Sequence, residues 1–210
     1  MDRRISGLYA VTPDNADTPC LLARVEAALA GGARLLQYRN KPASASLRLT
    51  QARVLLALCR EYQVPLIIND HLDLALALEA HGLHLGGEDG SVADARKHLG
   101  PGKILGVSCY GKLELAHAAA DAGATYVAFG GFFPSKVKPG KVDRTPVGLL
   151  TEAKRALDVP VVAIGGITLE NAPSLLAAGA DSVAVITALF EAPDTRATAR
   201  HFRELFRERQ

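Results

Sequence analysis

The chain of 210 residues is 49% hydrophobic and 22% charged, which is the balance of a folded globular protein of one domain or two small ones. A net charge of +2 is too small to indicate nucleic acid or a membrane surface as a partner, so an anion site must depend on where individual charges lie. Three scattered cysteines without a CxxC pair, no apolar secretory signal and no apolar run of about 18 residues lead us to expect a cytoplasmic protein without disulfides or membrane spans.

One unit recurs along the chain: an Ala-rich amphipathic stretch, a glycine near its end, and a short β-rich run. It is visible in 30–36, 122–127 and 178–183. A glycine at that point favours the left-handed conformation that ends a helix, and the β-branched run that follows is typical of a strand buried on both faces. Repeats of this βα kind predict parallel strands joined by helical crossovers.

Eight such units span the chain, and no linker divides residues 1–210. We therefore predict a single-domain TIM (β/α)8 barrel over 1–210. A doubly wound sheet is the alternative, but it often carries a Gly-rich dinucleotide turn, and no GxGxxG follows the first strand. The predicted strands are Gly7–Val11, Arg34–Arg39, Leu66–Asn69, Gly82–Leu85, Ile104–Ser108, Tyr126–Gly130, Val161–Ile164 and Ser182–Ile186. The predicted helices are Cys20–Ala30, Ala45–Glu61, Leu72–Ala80, Ser91–Leu99, Leu113–Ala122, Val147–Ala156, Leu169–Ala178 and Thr195–Arg207.

The second predicted strand ends in Gln37, Arg39 and Lys41. Alternate residues of a strand point the same way, so we expect these three side chains at the mouth of the barrel, where active sites of this fold lie. An amide, a guanidinium fork and an ammonium together suit a diphosphate. The alternative is a solvated strand end with ordinary surface charges.

The third and fourth predicted strands are followed by Asp70 and Asp89. Because Mg²⁺ is typically held by one or two carboxylates together with substrate phosphates, we predict a magnesium site formed by these two residues. Asp70 also suits the N-cap of the next helix, and Glu88 is an alternative to Asp89. His84 lies between them, and for it core packing is favoured over catalysis; the histidines show no HExxH or Cys partner.

The later strands add further candidates. Ser108 ends the fifth strand without a GxSxG context, which argues against a hydrolase nucleophile and favours a hydrogen bond to a phosphate or a substrate ring. The long polar segment 131–145 has the composition of a functional loop. Gly165-Gly166 and Thr187 follow the seventh and eighth strands, where TIM barrels often bind phosphate through backbone N–H groups. A tight turn is the alternative for the glycine pair.

Eight short motifs in order resemble the thiamine-phosphate synthase family along nearly the whole chain. They are Gly7–Thr12, Gln37–Lys41, Asn69–Ala75, Gly82–Gly86, Gly106–Ser108, Phe133–Lys138, Ile164–Ile167 and Val185–Ala188. The resemblance implies a Mg²⁺-dependent TIM-barrel transferase. It would join 4-amino-2-methyl-5-hydroxymethylpyrimidine diphosphate to a thiazole ethyl phosphate, with release of diphosphate.

The resemblance also implies roles for individual residues. The pyrimidine diphosphate would be bound by Gln37, Arg39, Lys41, Asn69, Ser108 and Lys138, of which Arg39, Lys41, Ser108 and Lys138 are the expected catalytic residues. The thiazole phosphate would be bound by Ser135, Val137, Gly165, Gly166, Ile186 and Thr187, and Mg²⁺ by Asp70 and Asp89. Small molecules are the expected partners, and neither nucleic acid nor a membrane is expected.

Three positions depart from the family pattern: Gly87 replaces Gln, Val137 replaces a Thr, and Asn40 replaces a common Glu. Two alternatives remain open. A related thiazole tautomerase would need no diphosphate site, so Asn69, the cation pair and the carboxylate pair argue against it. A non-catalytic barrel that binds a phosphate ligand would keep the glycine pair and lose dependence on Mg²⁺.

Overall fold

Eight parallel strands pair in chain order and close into a barrel, with the last strand beside the first. The computed structural model describes residues 4–87, 89–134 and 144–207. These residues confirm the predicted TIM barrel as one domain, while 1 and 210 stay predicted boundaries. The strands are β1 (Gly7–Val11), β2 (Leu35–Tyr38), β3 (Leu66–Asn69), β4 (Gly82–Leu85), β5 (Ile104–Tyr110), β6 (Tyr126–Phe129), β7 (Val161–Ile164) and β8 (Ser182–Val185).

Helices follow the strands and cover the outside of the barrel. Asp17, Ser44 and Ser91 cap the helices that begin at Thr18, Ala45 and Val92, with side-chain oxygens that accept backbone N–H groups. The repeat glycines Gly32, Gly123 and Gly179 all have positive φ, as the helix-ending interpretation predicts. The helices are α1 (Thr18–Gly31), α2 (Ala45–Glu61), α3 (Leu72–Ala77), α4 (Val92–Leu99), α5 (Leu113–Asp121), α6 (Gly148–Ala156), α7 (Ala172–Ala177), α8 (Thr187–Phe190) and α9 (Thr195–Arg207).

The predicted boundaries differ from the observed ones at many ends, by one or two residues in most of the elements that differ and by three at one end of α3 and of α7. The larger differences have local reasons. Helix α7 starts three residues late because Asn171 forms a turn: its Oδ1 accepts from the Thr168 N–H and its Nδ2 donates to the Gly166 carbonyl. Helix α3 stops at Ala77, before Glu79, which has a left-handed φ of 51°. Helix α8 was not predicted, because a four-residue helix directly after a strand has no amphipathic repeat to reveal it.

Strand alternation divides the apolar residues into two cores. An inner core fills the barrel with side chains such as Tyr9, Ile67 and Tyr126. An outer core lies between the strands and the helices and includes the neighbouring positions, for example Leu8 and Ile68. Because residues i and i+2 share a face, each strand sends one set of side chains inward and the other outward. The polar candidates can therefore be assigned to the inside or the outside of the barrel.

The two ends of the described chain meet where the barrel closes. Strand β1 pairs with β8, and the Ser182 hydroxyl donates to the Gly7 carbonyl across that seam. Helix α9 packs on α1, where Gly31 leaves room for Ala199. All three cysteines lie in the described residues and are free thiols, and none of the described helices has the length and apolar character to cross a bilayer.

Candidate active site

Strands β2 to β5 present polar side chains to the barrel interior near their C-terminal ends, where the mouth lies. Leu35, Ile67 and Ile104 belong to the inner core, so residues an even number of positions further along each strand share their side. The opposite half of the interior is apolar, with Ala128, Ile164 and Ile186 packed into the inner core. The mouth thus has a polar half and an apolar half. The polar set consists of Gln37, Asn69, His84 and Ser108.

A line of hydrogen bonds, which we name the interior relay, joins Gln37, Tyr9, Tyr126, His84 and Ser108. Gln37 Nε2 donates to Tyr9 Oη at 2.8 Å, and Tyr9 Oη lies 2.8 Å from Tyr126 Oη. Tyr126 Oη lies 2.8 Å from His84 Nδ1. His84 Nε2 lies 2.8 Å from Ser108 Oγ. The relay therefore crosses the barrel between two residues predicted to bind the pyrimidine. His84 is buried, as the core-packing interpretation predicts; the structure places it on the inner side of the barrel, in contact with Ser108.

The ionisable members of the relay are neutral near pH 7. Burial lowers the pKa of His84 to about 4, against a smaller opposing effect of the Asp89 charge. Burial also raises the pKa values of Tyr9 and Tyr126 well above their ordinary value of 10.0. The relay is thus a line of neutral dipoles beneath a charged mouth.

Asp70 and Asp89 meet at the mouth above β3 and β4. Their side chains lie within hydrogen-bond distance of each other. Burial, followed by the hydrogen bond and charge of Asp89, raises the pKa of Asp70 to about 6, although Lys41 and Asn69 act in the opposite direction. Lys41 Nζ lies 3.7 Å from Asp70 Oδ2, and the Gly86 N–H donates to Asp89 Oδ2 at 2.7 Å.

These two carboxyl groups fit Mg²⁺ better than a metal with a complete protein cage. Within 4–87, 89–134 and 144–207, no group of three or more His, Cys, Asp or Glu side chains could hold a metal ion. Two close carboxylates repel each other, and a divalent cation removes that repulsion, while substrate phosphates and waters would complete its oxygen shell. The N-cap interpretation of Asp70 is wrong, because His71 occupies the N-cap of α3 and no side chain caps it.

Asp14 holds the segment that carries the two predicted phosphate-binding cations. Its Oδ1 accepts from Arg39 Nη1 at 3.0 Å and from the Lys41 N–H at 2.9 Å. Asn40, between them, donates to the Asn15 carbonyl at 2.7 Å. The strand ends at Tyr38, so Arg39 and Lys41 are oriented by these side-chain bonds and not by strand alternation. Asn40, which stands where the family commonly has Glu, therefore connects the loop after β2 to the loop that carries Asn15.

Arg48 is a further cation at this edge. It lines a small cavity of about 10 Å³, room for about one water, together with Lys41, Asn69 and Asp70. Its Nη2 donates to the Ala43 carbonyl at 2.7 Å. Its buried Nε has no hydrogen-bond partner among the residues that the structure describes. Position 48 lies inside helix α2, so nothing in its local sequence signals a place near the strand ends.

The glycine pair after β7 has a packing reason of its own. Gly165 and Gly166 have φ of 110° and 63°, which favour glycine. A Cβ on Gly165 would lie 2.6 Å from the Gly131 Cα, and one on Gly166 would collide with the Pro134 carbonyl. The tight-turn interpretation therefore accounts for both glycines, and phosphate binding there stays a prediction. Thr187 begins α8 directly after Ile186, which resembles the short extra helix of TIM-barrel phosphate sites.

Gly87, one of the departures from the family pattern, has a neighbour that fills the space of a side chain. Tyr110, at the end of β5, has a left-handed φ of 53°. Its side chain reaches Gly87, whose N–H donates to Tyr110 Oη at 3.1 Å. A Cβ on Gly87 would lie 3.1 Å from the same ring. Another of the three departures, Val137, lies outside the described residues, as do the predicted Glu88, Ser135, Lys136 and Lys138.

Several residues near the site carry no local sequence signal for their positions. Tyr9 and Tyr126 read as ordinary buried strand residues, and only the closed barrel brings their hydroxyl groups to 2.8 Å. Asp14 lies in a loop among other polar residues. The one usable clue is the alternation of side chains along a strand. Tyr9 and Tyr126 occupy inward-facing positions of strands whose inward face is otherwise filled by aliphatic side chains.

Three comparisons with known proteins point to the same family, and each covers most of the chain. A family model described as thiamine monophosphate synthase matches residues 8–189. The thiamine-phosphate synthase of Aromatoleum aromaticum is 55% identical over 205 residues, which cover 98% of each protein. That of Nitrosomonas eutropha is 55% identical over 209 residues, which cover 98% of this chain and 97% of the relative. The solved thiamine phosphate pyrophosphorylase from Pyrococcus furiosus aligns with a TM-score of 0.85 at 34% identity over 98% of both chains. The chain belongs to the thiamine monophosphate synthase family.

Proposed function

We propose that the protein catalyses the thiamine-phosphate synthase reaction. A hydroxymethylpyrimidine diphosphate would lose diphosphate, and the ring nitrogen of a thiazole ethyl phosphate would take its place. The observation that carries this proposal is the close pair Asp70 and Asp89 beside Lys41, at the end of a polar half-barrel. That arrangement suits a diphosphate bound through a divalent cation. A thiazole tautomerase would have no use for it.

The chemistry needs no protein nucleophile. The C–O bond to diphosphate breaks with its electron pair on the leaving oxygen, and the amino group of the pyrimidine donates electron density to the developing cation. The thiazole nitrogen then supplies the electron pair of the new C–N bond. Arg39 and Lys41 would neutralise the departing diphosphate, while Gln37, Asn69 and Ser108 hold the pyrimidine in line. Asp70 and Asp89 would hold Mg²⁺, which when bound supplies positive charge to the leaving diphosphate.

The apolar half of the mouth would take the second substrate. Ile164 and Ile186 pack into the inner core beside the segments that carry Gly165, Gly166 and Thr187. An aliphatic wall suits the face of a thiazole ring, and backbone N–H groups near a helix start suit its phosphate. Ser135 and Val137 keep their predicted role in binding the thiazole phosphate, and Lys138 keeps its predicted role in binding the pyrimidine diphosphate.

One assay tests the proposal and its alternatives. The purified protein is incubated with both substrates, with Mg²⁺ or with a chelator, and the products are separated by chromatography. We expect thiamine phosphate and diphosphate only when Mg²⁺ is present. Isomerised thiazole phosphate without coupling would indicate a tautomerase instead. Binding of thiazole phosphate without any product would indicate a non-catalytic barrel.

A further inference from the structure

The hydrogen bonds of the interior relay all donate in the same direction, from Gln37 towards Ser108. A tyrosine hydroxyl has one proton to donate. Because Gln37 Nε2 donates to Tyr9, the Tyr9 proton is directed to Tyr126, and the Tyr126 proton to His84 Nδ1. A neutral imidazole that accepts at Nδ1 carries its proton on Nε2. His84 Nε2 therefore donates to Ser108 Oγ.

The direction decides what each end of the relay offers to a ligand. Ser108 Oγ accepts from His84, and no other hydrogen bond from its side chain reaches a described residue, so its own proton is left for a ligand. At the other end, Gln37 uses Nε2 on Tyr9, and no described residue donates to its Oε1. The mouth thus receives one acceptor, Gln37 Oε1, and one donor, the Ser108 hydroxyl.

The barrel packs tightly around this line. Tyr9 and Tyr126 are 1% and 0% exposed, so bulk water does not compete for their hydroxyl groups. Their rings meet edge to face with centroids 5.9 Å apart, and the His84 ring stacks on Tyr126 at 5.7 Å. A Cβ on Gly106 would collide with the Tyr126 ring, so this glycine provides the space in which that ring lies. Packing therefore limits the hydroxyl groups to the relay.

We propose that Tyr9, Tyr126 and His84 are positioning residues that keep Gln37 an acceptor and Ser108 a donor, so that the site selects an aminopyrimidine over its oxo analogue. This proposal rests on the proposed function. An aminopyrimidine presents an N–H donor beside a ring-nitrogen acceptor, which complements these two groups. The oxo analogue presents a carbonyl acceptor beside a ring N–H, which is the opposite pattern.

The Gln37 end of the relay cannot adapt by itself. To donate to the carbonyl of the oxo analogue, the Gln37 amide must rotate, both tyrosine hydroxyls must reverse, and His84 must move its proton from Nε2 to Nδ1. Ser108 Oγ has a second lone pair and can accept from a ring N–H without that change, so the constraint lies at Gln37. Rotating Gln37 alone leaves two acceptors facing each other inside the barrel, which costs more than an exposed mismatch. Discrimination thus comes from three residues that need not touch the substrate.

Two measurements test the proposal. ¹⁵N chemical shifts of the His84 ring, assigned by comparison with His84→Gln, report which nitrogen carries the proton in the ligand-free protein. Titration calorimetry gives the affinities of the pyrimidine diphosphate and its 4-oxo analogue, each without the thiazole. We expect the Nε2–H form, and we expect Tyr126→Phe to reduce the preference for the amino compound by about tenfold or more. Affinity for thiazole phosphate should stay unchanged.

Tyr38→Phe is the matched control, because the Tyr38 hydroxyl is also buried but donates to Gln51 in the outer layer. It should leave the preference unchanged. An Nδ1–H form of His84, or an undiminished preference in Tyr126→Phe, would overturn the proposal. If Tyr126→Phe does not fold, the His84 shifts of the wild-type protein still decide the direction. Failure of the unaltered protein to make thiamine phosphate would instead contradict the proposed function.

Discussion

Asp70 has a backbone conformation that side chains rarely adopt. Its φ is 63°, and its N–H donates to the His84 carbonyl at 2.9 Å. The carboxyl group of Asp70 lies beside that of Asp89. Two close carboxylates are unfavourable without a cation, and a loss of stability of this kind is common at functional sites.

Asp70→Asn should therefore separate activity from stability. Turnover should fall by about 100-fold, because a neutral amide is a poorer ligand for Mg²⁺. The metal-free variant should be more stable than the wild-type protein by about 1 kcal/mol at pH 7.5, after allowance for solvent screening of a partly exposed group. The sign follows from a pKa raised to about 6 from an ordinary 3.8, since ionisation above that pH opposes folding.

Steady-state assays and denaturant titration with a chelator measure the two effects. Asp73→Asn, on the nearby helix α3, is the control for loss of one negative charge. Normal Mg²⁺-dependent rates in both Asp70→Asn and Asp89→Asn would show that the metal assignment is wrong.

His84 should make the protein sensitive to mild acid. Its pKa falls from an ordinary 6.5 to about 4 in the folded state, so the unfolded chain binds the proton first as pH decreases. Stability is complete above pH 6.5 and should decline by about 2 kcal/mol between pH 7 and 5. His84→Gln should flatten that part of the profile, whereas His117→Gln, at an exposed position, should not. Equal slopes for all three proteins would contradict this account.

At the scale of elements, the segment after β2 should serve only one substrate. Arg39→Ala should weaken binding of the pyrimidine diphosphate by about 1.5–3 kcal/mol, the range for hydrogen bonds to charged groups. It should barely change binding of thiazole phosphate, which we assign to the loops after β7 and β8. Separate calorimetric titrations measure both, with Arg53→Ala on the exposed face of α2 as the control for net charge. Equal losses for both ligands would disprove this division.

The loops after β6 and β7 are interlocked, so Gly165→Ala should disturb both. Alanine at a positive φ costs about 1–2 kcal/mol by itself. The collision with Gly131 should add to that cost. Gly90→Ala has nearly the same φ, 113°, with no atom within 4 Å of its new Cβ, and should show the conformational cost alone. Denaturation midpoints compare the two variants, and equal losses would argue against the collision.

At the scale of the molecule, closure of the barrel should make one cooperative unit. Phe202 on α9 is fully buried against the outer core, while Phe206 is only partly buried. Phe202→Ala should cost about 3–5 kcal/mol and Phe206→Ala clearly less. Circular dichroism and tyrosine fluorescence should report coincident unfolding in both variants. Separate transitions would show that α9 unfolds independently of the barrel.

The repeat of helix, glycine and strand was enough to predict eight strands, four of them with the observed bounds: β1, β3, β4 and β7. The alternation of side chains along β2 likewise predicted that Gln37 faces the interior of the barrel. Asp14 and Tyr126 could not be predicted, because their partners are distant in sequence and meet only when the barrel closes. The left-handed backbone conformation of Asp70 could not be predicted either, since the local sequence favoured a helix N-cap at Asp70 and the structure places the N-cap at His71.

The packing of Gly106 against Tyr126 limits how these two positions can change during evolution. Because a Cβ at this position would collide with the Tyr126 ring, a tyrosine at 126 requires glycine at 106. A lineage that gains a side chain at 106 should also lose the tyrosine at 126, and with it the preference for an amino group on the pyrimidine. Joint substitution at these two positions would therefore mark relatives that have diverged in substrate, even where every charged residue at the mouth is retained.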